Sequence, residues 1–143
     1  MKQVGECELG KLRTGVCRSG YRHVYVKSEQ REHRKTKGNI TYDASPFQIG
    51  IGRFTSARQA AIAVVSWMYE RFGAEWQRSL QPKNRPWKIS RDKFGWRLMV
   101  AEEGRLVVAS SGHRNRADAV RSLKEWLENM RTRNQCRVLT PKN

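Results

Sequence analysis

The sequence predicts an α+β fold of two tandem units, each a three-stranded antiparallel sheet with one helix. Three observations lead there. Gly20-Tyr21-Arg22-His23-Val24-Tyr25-Val26 and Gly95-Trp96-Arg97-Leu98-Met99-Val100-Ala101 both open on Gly, an aromatic residue and Arg, then continue as strand-like runs. Each is followed by a further β-prone run, Phe47–Ile51 or Arg105–Ala109, and then by a helical pattern containing a Trp. Phe47 to Trp67 and Leu106 to Trp126 both span 20 residues. Self-similarity at a fixed spacing marks a repeated structural unit.

The first unit is expected over 12–73. A short extended stretch at Thr14–Arg18 precedes the strand beginning at Gly20. A polar, basic loop over 28–45 then accounts for the greater length of this copy, and Phe47–Ile51 is expected as the third strand. Thr55-Ser56 supplies an N-cap, and the helix runs to about Phe72, where Gly73 closes it. Ala60, Ala61, Ile62, Ala63, Val64, Val65, Trp67, Met68 and Tyr69 make that helix apolar nearly all round. Such a helix calls for cover on more than one side, from this chain, a protein partner or a second copy.

The segment Ala74–Pro86 connects the units, with Trp76 and Leu80 expected to dock. The second unit is expected over 86–131, with strands at Trp87–Ser90, Gly95–Ala101 and Arg105–Ala109 and a tight turn at Glu102-Glu103-Gly104. Its helix, about Asn115–Met130, carries the stripe Ala119, Val120, Leu123, Trp126, Leu127 and Met130, with Arg121, Lys124, Glu125 and Glu128 facing water. The spacing suggests i, i+4 pairing of Arg121 with Glu125 and Lys124 with Glu128. Residues 132–143 form a basic tail, frayed or with a short edge strand around Cys136, Val138 and Leu139.

Composition bounds the function. The chain has 143 residues, 29 of them Lys or Arg and 13 Asp or Glu, for a net charge of +16. A hydrophobic share of 38% supports a modest core and excludes full disorder. No apolar run approaches the length of a membrane span, and Met1–Glu6 lacks the apolar core of a secretory signal, so an intracellular protein with no membrane partner is expected. Cys7, Cys17 and Cys136 form no CxxC, and His23, His33 and His113 fall in no ligand spacing, so neither a disulfide framework nor a metal is expected.

So strong a positive field draws polyanions, and nucleic acid is the commonest. Residues 1–81 carry 14 basic and 7 acidic side chains and residues 82–143 carry 15 and 6, so each half has its own excess. The charge is not a tail added to a neutral domain.

Ile51-Gly52-Arg53-Phe54-Thr55-Ser56-Ala57-Arg58-Gln59-Ala60-Ala61 resembles the DNA-binding domain of the Apetala/ethylene-response-factor family, with its apolar-Gly-x-Phe step, hydroxyl cap and Ala-rich helix. Gly15-Val16-Cys17-Arg18 looks like that family's first strand. The resemblance covers about 14–72, and 87–130 is a weaker match in which Ser111-Gly112-His113-Arg114 replaces the Gly-x-Phe step. Related three-stranded folds serve as arm-binding domains of phage and transposon integrases. The resemblance implies a sheet lying in the major groove of duplex DNA. Cys17, Gln48 and Gly50 stand where the family usually has Arg, Arg and Trp, which weighs against its usual GC-rich site.

Strand alternation sets Tyr21, His23, Tyr25 and Lys27 on one face and Arg22, Val24 and Val26 on the other. The apolar pair assigns the second set to the helix side, leaving the first open for phosphate and base contact. Arg13, Arg18, Arg53, Lys88, Arg91, Lys93, Trp96 and Arg105 are the further candidates, with Trp96 equally suited to the core. The run Arg31–Gly38 is the basic part of the long loop. No Walker loop, GxSxG, HExxH or HNH-like cluster occurs. The expectation is a non-enzymatic, cofactor-free DNA-binding protein for transcription regulation or recombination. The alternatives are an RNA binder and a small phage-type module that docks on a host enzyme, through the first helix.

Overall fold

A computed structural model describes residues 4–28 and 40–139. The chain divides into two units, 1–68 and 69–143, and each has its own antiparallel three-stranded sheet. The fold is α+β with two sheet units, as expected.

The first unit opens with a helix that the sequence reading does not contain, α1 (Glu6–Leu12). It is short and includes Gly10, a poor helix former. Leu9 and Leu12 are fully buried and hold it in place. Glu6 pairs with Arg13 at 3.3 Å and also with Arg58. The sheet consists of β1 (Val24–Ser28), β2 (Ile40–Ala44) and β3 (Gly52–Phe54), in that order. α2 (Ala57–Phe72) follows.

Three strand assignments in this unit need correction. Thr14–Arg18 is a loop of bends and turns rather than a strand, tied off by a bridge between Arg13 and Tyr21 and by the Thr14 N–H donating to the Gly20 carbonyl at 3.0 Å. Phe47–Ile51 is not a strand either. Pro46–Gln48 is a 3-10 turn in which Phe47 (φ 54°) and Gln48 (φ 70°) are left-handed, a conformation uncommon outside Gly. The third strand therefore begins only at Gly52. The middle strand, β2, lies inside the segment expected as loop over 28–45. The basic run Arg31–Gly38 lies outside the described residues.

The second unit contains β4 (Trp87–Asp92), β5 (Gly95–Glu102) and β6 (Arg105–His113), again ordered in sequence. α3 (Arg116–Leu139) packs across all three strands. Its backbone runs helically through residues 132–139 of the segment expected as a tail or edge strand. The core is formed by Trp87, Leu98, Val100, Ala119, Val120, Leu123 and Leu127, together with Trp76 and Leu80 of the connection. Trp87 stacks on Phe72 with ring centroids 5.7 Å apart.

The strand-to-helix junctions repeat. The Gln59 N–H donates to Ser56 Oγ at 3.1 Å, and the Asp118 N–H donates to Asn115 Oδ1 at 3.0 Å. A shift of 59 residues carries Ser56 to Asn115, Gln59 to Asp118 and Trp67 to Trp126. The same shift carries the buried Ala60, Ala61, Val64 and Met68 onto the buried Ala119, Val120, Leu123 and Leu127. α2 has in addition buried Val65, Trp67 and Arg71, which widens its buried arc from roughly 100° to roughly 160° at 3.6 residues per turn. Ile62 and Ala63 are half-buried, so α2 is covered over one broad face rather than all round. Gly73, at φ 75°, ends it as expected.

Arg71 is 4% exposed. It donates to Glu128 of α3 and lies 3.8 Å from Glu70. Arg131 pairs with Glu70 at 3.1 Å and with Glu128 at 3.5 Å. The Arg71 guanidinium, by hydrogen bond first, holds the Glu128 carboxyl below its ordinary range. The partners of Glu128 are therefore Arg71 and Arg131, and Arg121 sits 3.9 Å from Asp118. This corrects the i, i+4 pairing expected from spacing.

Candidate nucleic-acid interface

The register of the first sheet fixes which side chains share a face. Val24 lies opposite Ala44 and Ala44 opposite Gly52, while Val26, Tyr42 and Phe54 form the next row. Val24 and Ala44 are fully buried, so these rows face inward. On the other side Tyr25 stands opposite Asp43 and Asp43 opposite Arg53, with Lys27 opposite Thr41. Tyr25 is 47% exposed, and Lys27 and Arg53 are exposed. The open face is thus Tyr25, Lys27, Thr41, Asp43 and Arg53.

This face is held by its own polar contacts. Arg53 Nε donates to Asp43 Oδ1 at 2.9 Å, and Thr41 Oγ1 donates to the Lys27 carbonyl at 3.4 Å. Asp43 lowers the local charge and directs the Arg53 guanidinium along the row.

Tyr21 and His23 do not join that face, which corrects the alternation argument. His23 has φ 64°, so the chain turns between Tyr21 and Val24 and the period-2 rule stops there. The His23 ring lies 4.9 Å from Phe47, edge to face, and Phe47 lies 6.1 Å from Trp67 of α2. His23 is thus part of an aromatic row joining the sheet to its helix. Tyr21 pairs with Arg13 and borders a shallow, open depression of about 530 Å³ lined by Arg13, Thr14, Gly15, Ser19, Gly20 and Tyr21. Arg18 is exposed on the same loop.

In the second unit the inner face runs through Trp87, Ile89, Leu98 and Val100. Trp96 is level with Arg91 and His113 in the register, so it lies on the α3 side of the sheet, half-buried. The Arg91 guanidinium sits 6.0 Å from its ring centre. Lys88 is on the opposite, open face, where Arg97 donates to Ser90 Oγ at 3.1 Å and lies 3.8 Å from Asp92. Met99, Leu106 and Val108 share that open face, with Leu106 and Val108 about half exposed. Lys93 occupies the β4–β5 turn, and Arg105 the opposite end of the sheet, roughly 20 Å away along β5.

The structure therefore brings Tyr25, Lys27 and Arg53 together, places Lys88 on the open face of its own sheet, and leaves Arg13 and Arg18 on the loop before β1. It adds Thr41 and Asp43, which sequence reasoning missed although Ile40-Thr41-Tyr42-Asp43-Ala44 alternates as a strand should. It also adds Phe94, the tip of the β4–β5 hairpin. Among the described residues no group of three His, Cys, Asp or Glu is arranged to hold a metal. No helix of the described residues is long and apolar enough to cross a membrane.

No family model, curated protein or solved structure matches the chain.

Proposed function

We propose that the protein is a non-enzymatic nucleic-acid-binding protein that takes duplex DNA on the open face of its first sheet. The observation that carries this reading is the alignment of Tyr25, Lys27 and Arg53 on one exposed β-surface in a chain of net charge +16. Each unit has its own excess, +7 over 1–68 from 12 basic and 5 acidic side chains, and +9 over 69–143 from 17 and 8.

The physical case is one of geometry and field. Side chains on one strand face recur about every 6.6 to 7 Å, and a major groove about 12 Å wide admits β-structure. Lys27 and Arg53 supply phosphate contacts, which position a protein without specifying sequence. Tyr25 adds ring area and a hydroxyl for a base edge or phosphate. The likeness of residues 51–61 to the Apetala/ethylene-response-factor domain supports the same mode, and a role in transcription or recombination of the kind such domains serve.

The alternative of a protein partner on α2 has less to stand on, because Ala60, Ala61, Val64, Val65 and Met68 are already fully buried. RNA differs from duplex DNA in its deep, narrow major groove, which side chains do not read. A sheet face suited to the wide B-form groove favours DNA.

The test is selection from random duplex DNA with structured RNA as competitor, at two salt concentrations. Duplex retained against RNA supports the proposal. Preferential loss to RNA, or retention of neither, sinks it.

A further inference from the structure

The β4–β5 hairpin ends in an apolar ring held in a cationic setting. Phe94 is 74% exposed, and it is the most exposed aromatic side chain among the described residues. The turn is two residues wide, Lys93-Phe94, between the paired Asp92 and Gly95. Lys93 Nζ lies 5.0 Å from the Phe94 ring centre, and Arg91 is exposed nearby. A single exposed apolar side chain is ordinary on a protein surface. What is unusual is how firmly this one is mounted.

Three features fix the tip. The Phe94 N–H donates to Asp92 Oδ1 at 2.9 Å, which ties the backbone of the turn to the end of β4. Arg97, one turn of the ladder below, also draws on Asp92 at 3.8 Å. Gly95 adopts φ 126°, and a Cβ there would lie 2.6 Å from the His113 carbonyl oxygen. The hairpin base is therefore clamped against the end of β6, and only Gly fits. A rigid, two-residue, cationic turn with an outward Phe has the attributes of a wedge that enters DNA between base steps.

We infer that Phe94 inserts between adjacent base pairs of bound duplex DNA from the minor groove, and that Arg91 and Lys93 hold the flanking phosphates. This rests on the duplex-binding reading above and goes beyond it by assigning the second unit a DNA-deforming role. A two-stranded ribbon suits the wide major groove and is too broad for a minor groove of about 6 Å, so only the two-residue tip enters, with Phe94 leading. Insertion unstacks one step and kinks the duplex by roughly 20–90°. Pyrimidine–purine steps such as TA, which unstack most easily, are the expected sites.

The test uses the full chain and a G·C-rich duplex of about 30 base pairs with one central TA step, a length over which a kink is readily read. 2-Aminopurine flanks the step, donor and acceptor dyes mark the ends, and binding is followed separately by anisotropy. The unchanged protein is expected to raise 2-aminopurine emission several-fold and to bring the ends closer. Phe94→Ala should abolish both signals and weaken binding about tenfold, the scale of one lost stacking contact, with its salt dependence unchanged. Phe94→Trp should keep both signals. Saturation by the unchanged protein with neither signal, or retention of both by a folded Phe94→Ala, overturns insertion while duplex binding stands. No binding by the unchanged protein removes the duplex-binding reading itself, and insertion with it.

Discussion

Arg53 and Asp43 face each other across β3 and β2, with Arg53 Nε donating to Asp43 Oδ1 at 2.9 Å on the open side of the first sheet. The pair places a carboxylate in the middle of the surface proposed to meet phosphates. Asp43→Asn should keep the strand and remove the opposing charge. We expect duplex affinity at low salt to rise about two- to fivefold, the scale of one screened surface charge. Arg53→Ala should lower it by a similar factor. A fall in affinity with Asp43→Asn would show instead that orienting Arg53 outweighs the charge.

The sheet face and the outer face of α3 make contrasting predictions. Tyr25→Ala with Lys27→Ala removes a ring and a cation from one face of β1, and should cost about 2 kcal/mol or more of DNA binding, the scale of a few lost contacts. Arg121→Ala with Lys124→Ala removes two charges from a helix face where Arg121 already lies near Asp118. That pair should cost well under about 1 kcal/mol beyond the general charge effect. Titrations of both double mutants, checked for folding by circular dichroism, compare the faces. Equal losses would mean that the sheet is not the contact surface.

The Arg71–Glu128 pair is expected to matter for stability rather than binding. Glu128 is held below its ordinary range by Arg71, so its contribution is fully present above the pKa of the unfolded chain. It is lost as pH falls through the lower folded-state value. Glu128→Gln should lower stability at neutral pH by about 1 kcal/mol, a hydrogen bond to a charged group reduced by the solvent screening of a carboxylate that is 44% exposed, and should flatten the acid limb of the stability profile. Chemical denaturation from neutral to acid pH checks it. An unchanged acid limb would argue that other carboxylates dominate.

Ser56 and Asn115 occupy the same cap position in the two units. Ser56→Ala and Asn115→Ala should each cost about 1 kcal/mol, the usual loss for a capping side chain. Urea midpoints of the two variants should shift in the same direction, and no shift in either would deny that the side-chain bond supports the helix.

Much of this architecture is legible in the residues. Thr55-Ser56 and Gly73 mark both ends of α2, and the stripe from Ala119 to Leu127 marks the buried side of α3. The equal distances to Trp67 and Trp126 are kept at the helices, although Phe47 is in a turn and not a strand. What escaped reading follows from backbone geometry that side-chain patterns do not announce. His23, Phe47 and Gln48 are left-handed without being glycine, and each interrupts an alternation that looked continuous. β2 is flanked by a polar, basic stretch, so in the sequence its five-residue alternation looks like part of a loop. α1 is seven residues long with a glycine inside it, and its stability comes from burying Leu9 and Leu12 rather than from propensity. At the site, the Tyr25–Lys27 alternation was legible, but Asp43, Arg53 and Thr41 became neighbours only through the register of β2.

If the field of this +16 chain serves to bind nucleic acid, as proposed, duplex affinity must fall as salt rises, and that dependence is the most direct test. Each phosphate contact releases condensed counterions, so contact with about five to eight phosphates predicts a slope of about −4 to −7 for log K against log salt. Fluorescence anisotropy on a labelled duplex between about 50 and 200 mM salt spans the range in which such a slope is readily resolved. A slope in that interval is the predicted result, and a slope near zero, or no binding at the lowest salt, would contradict the account.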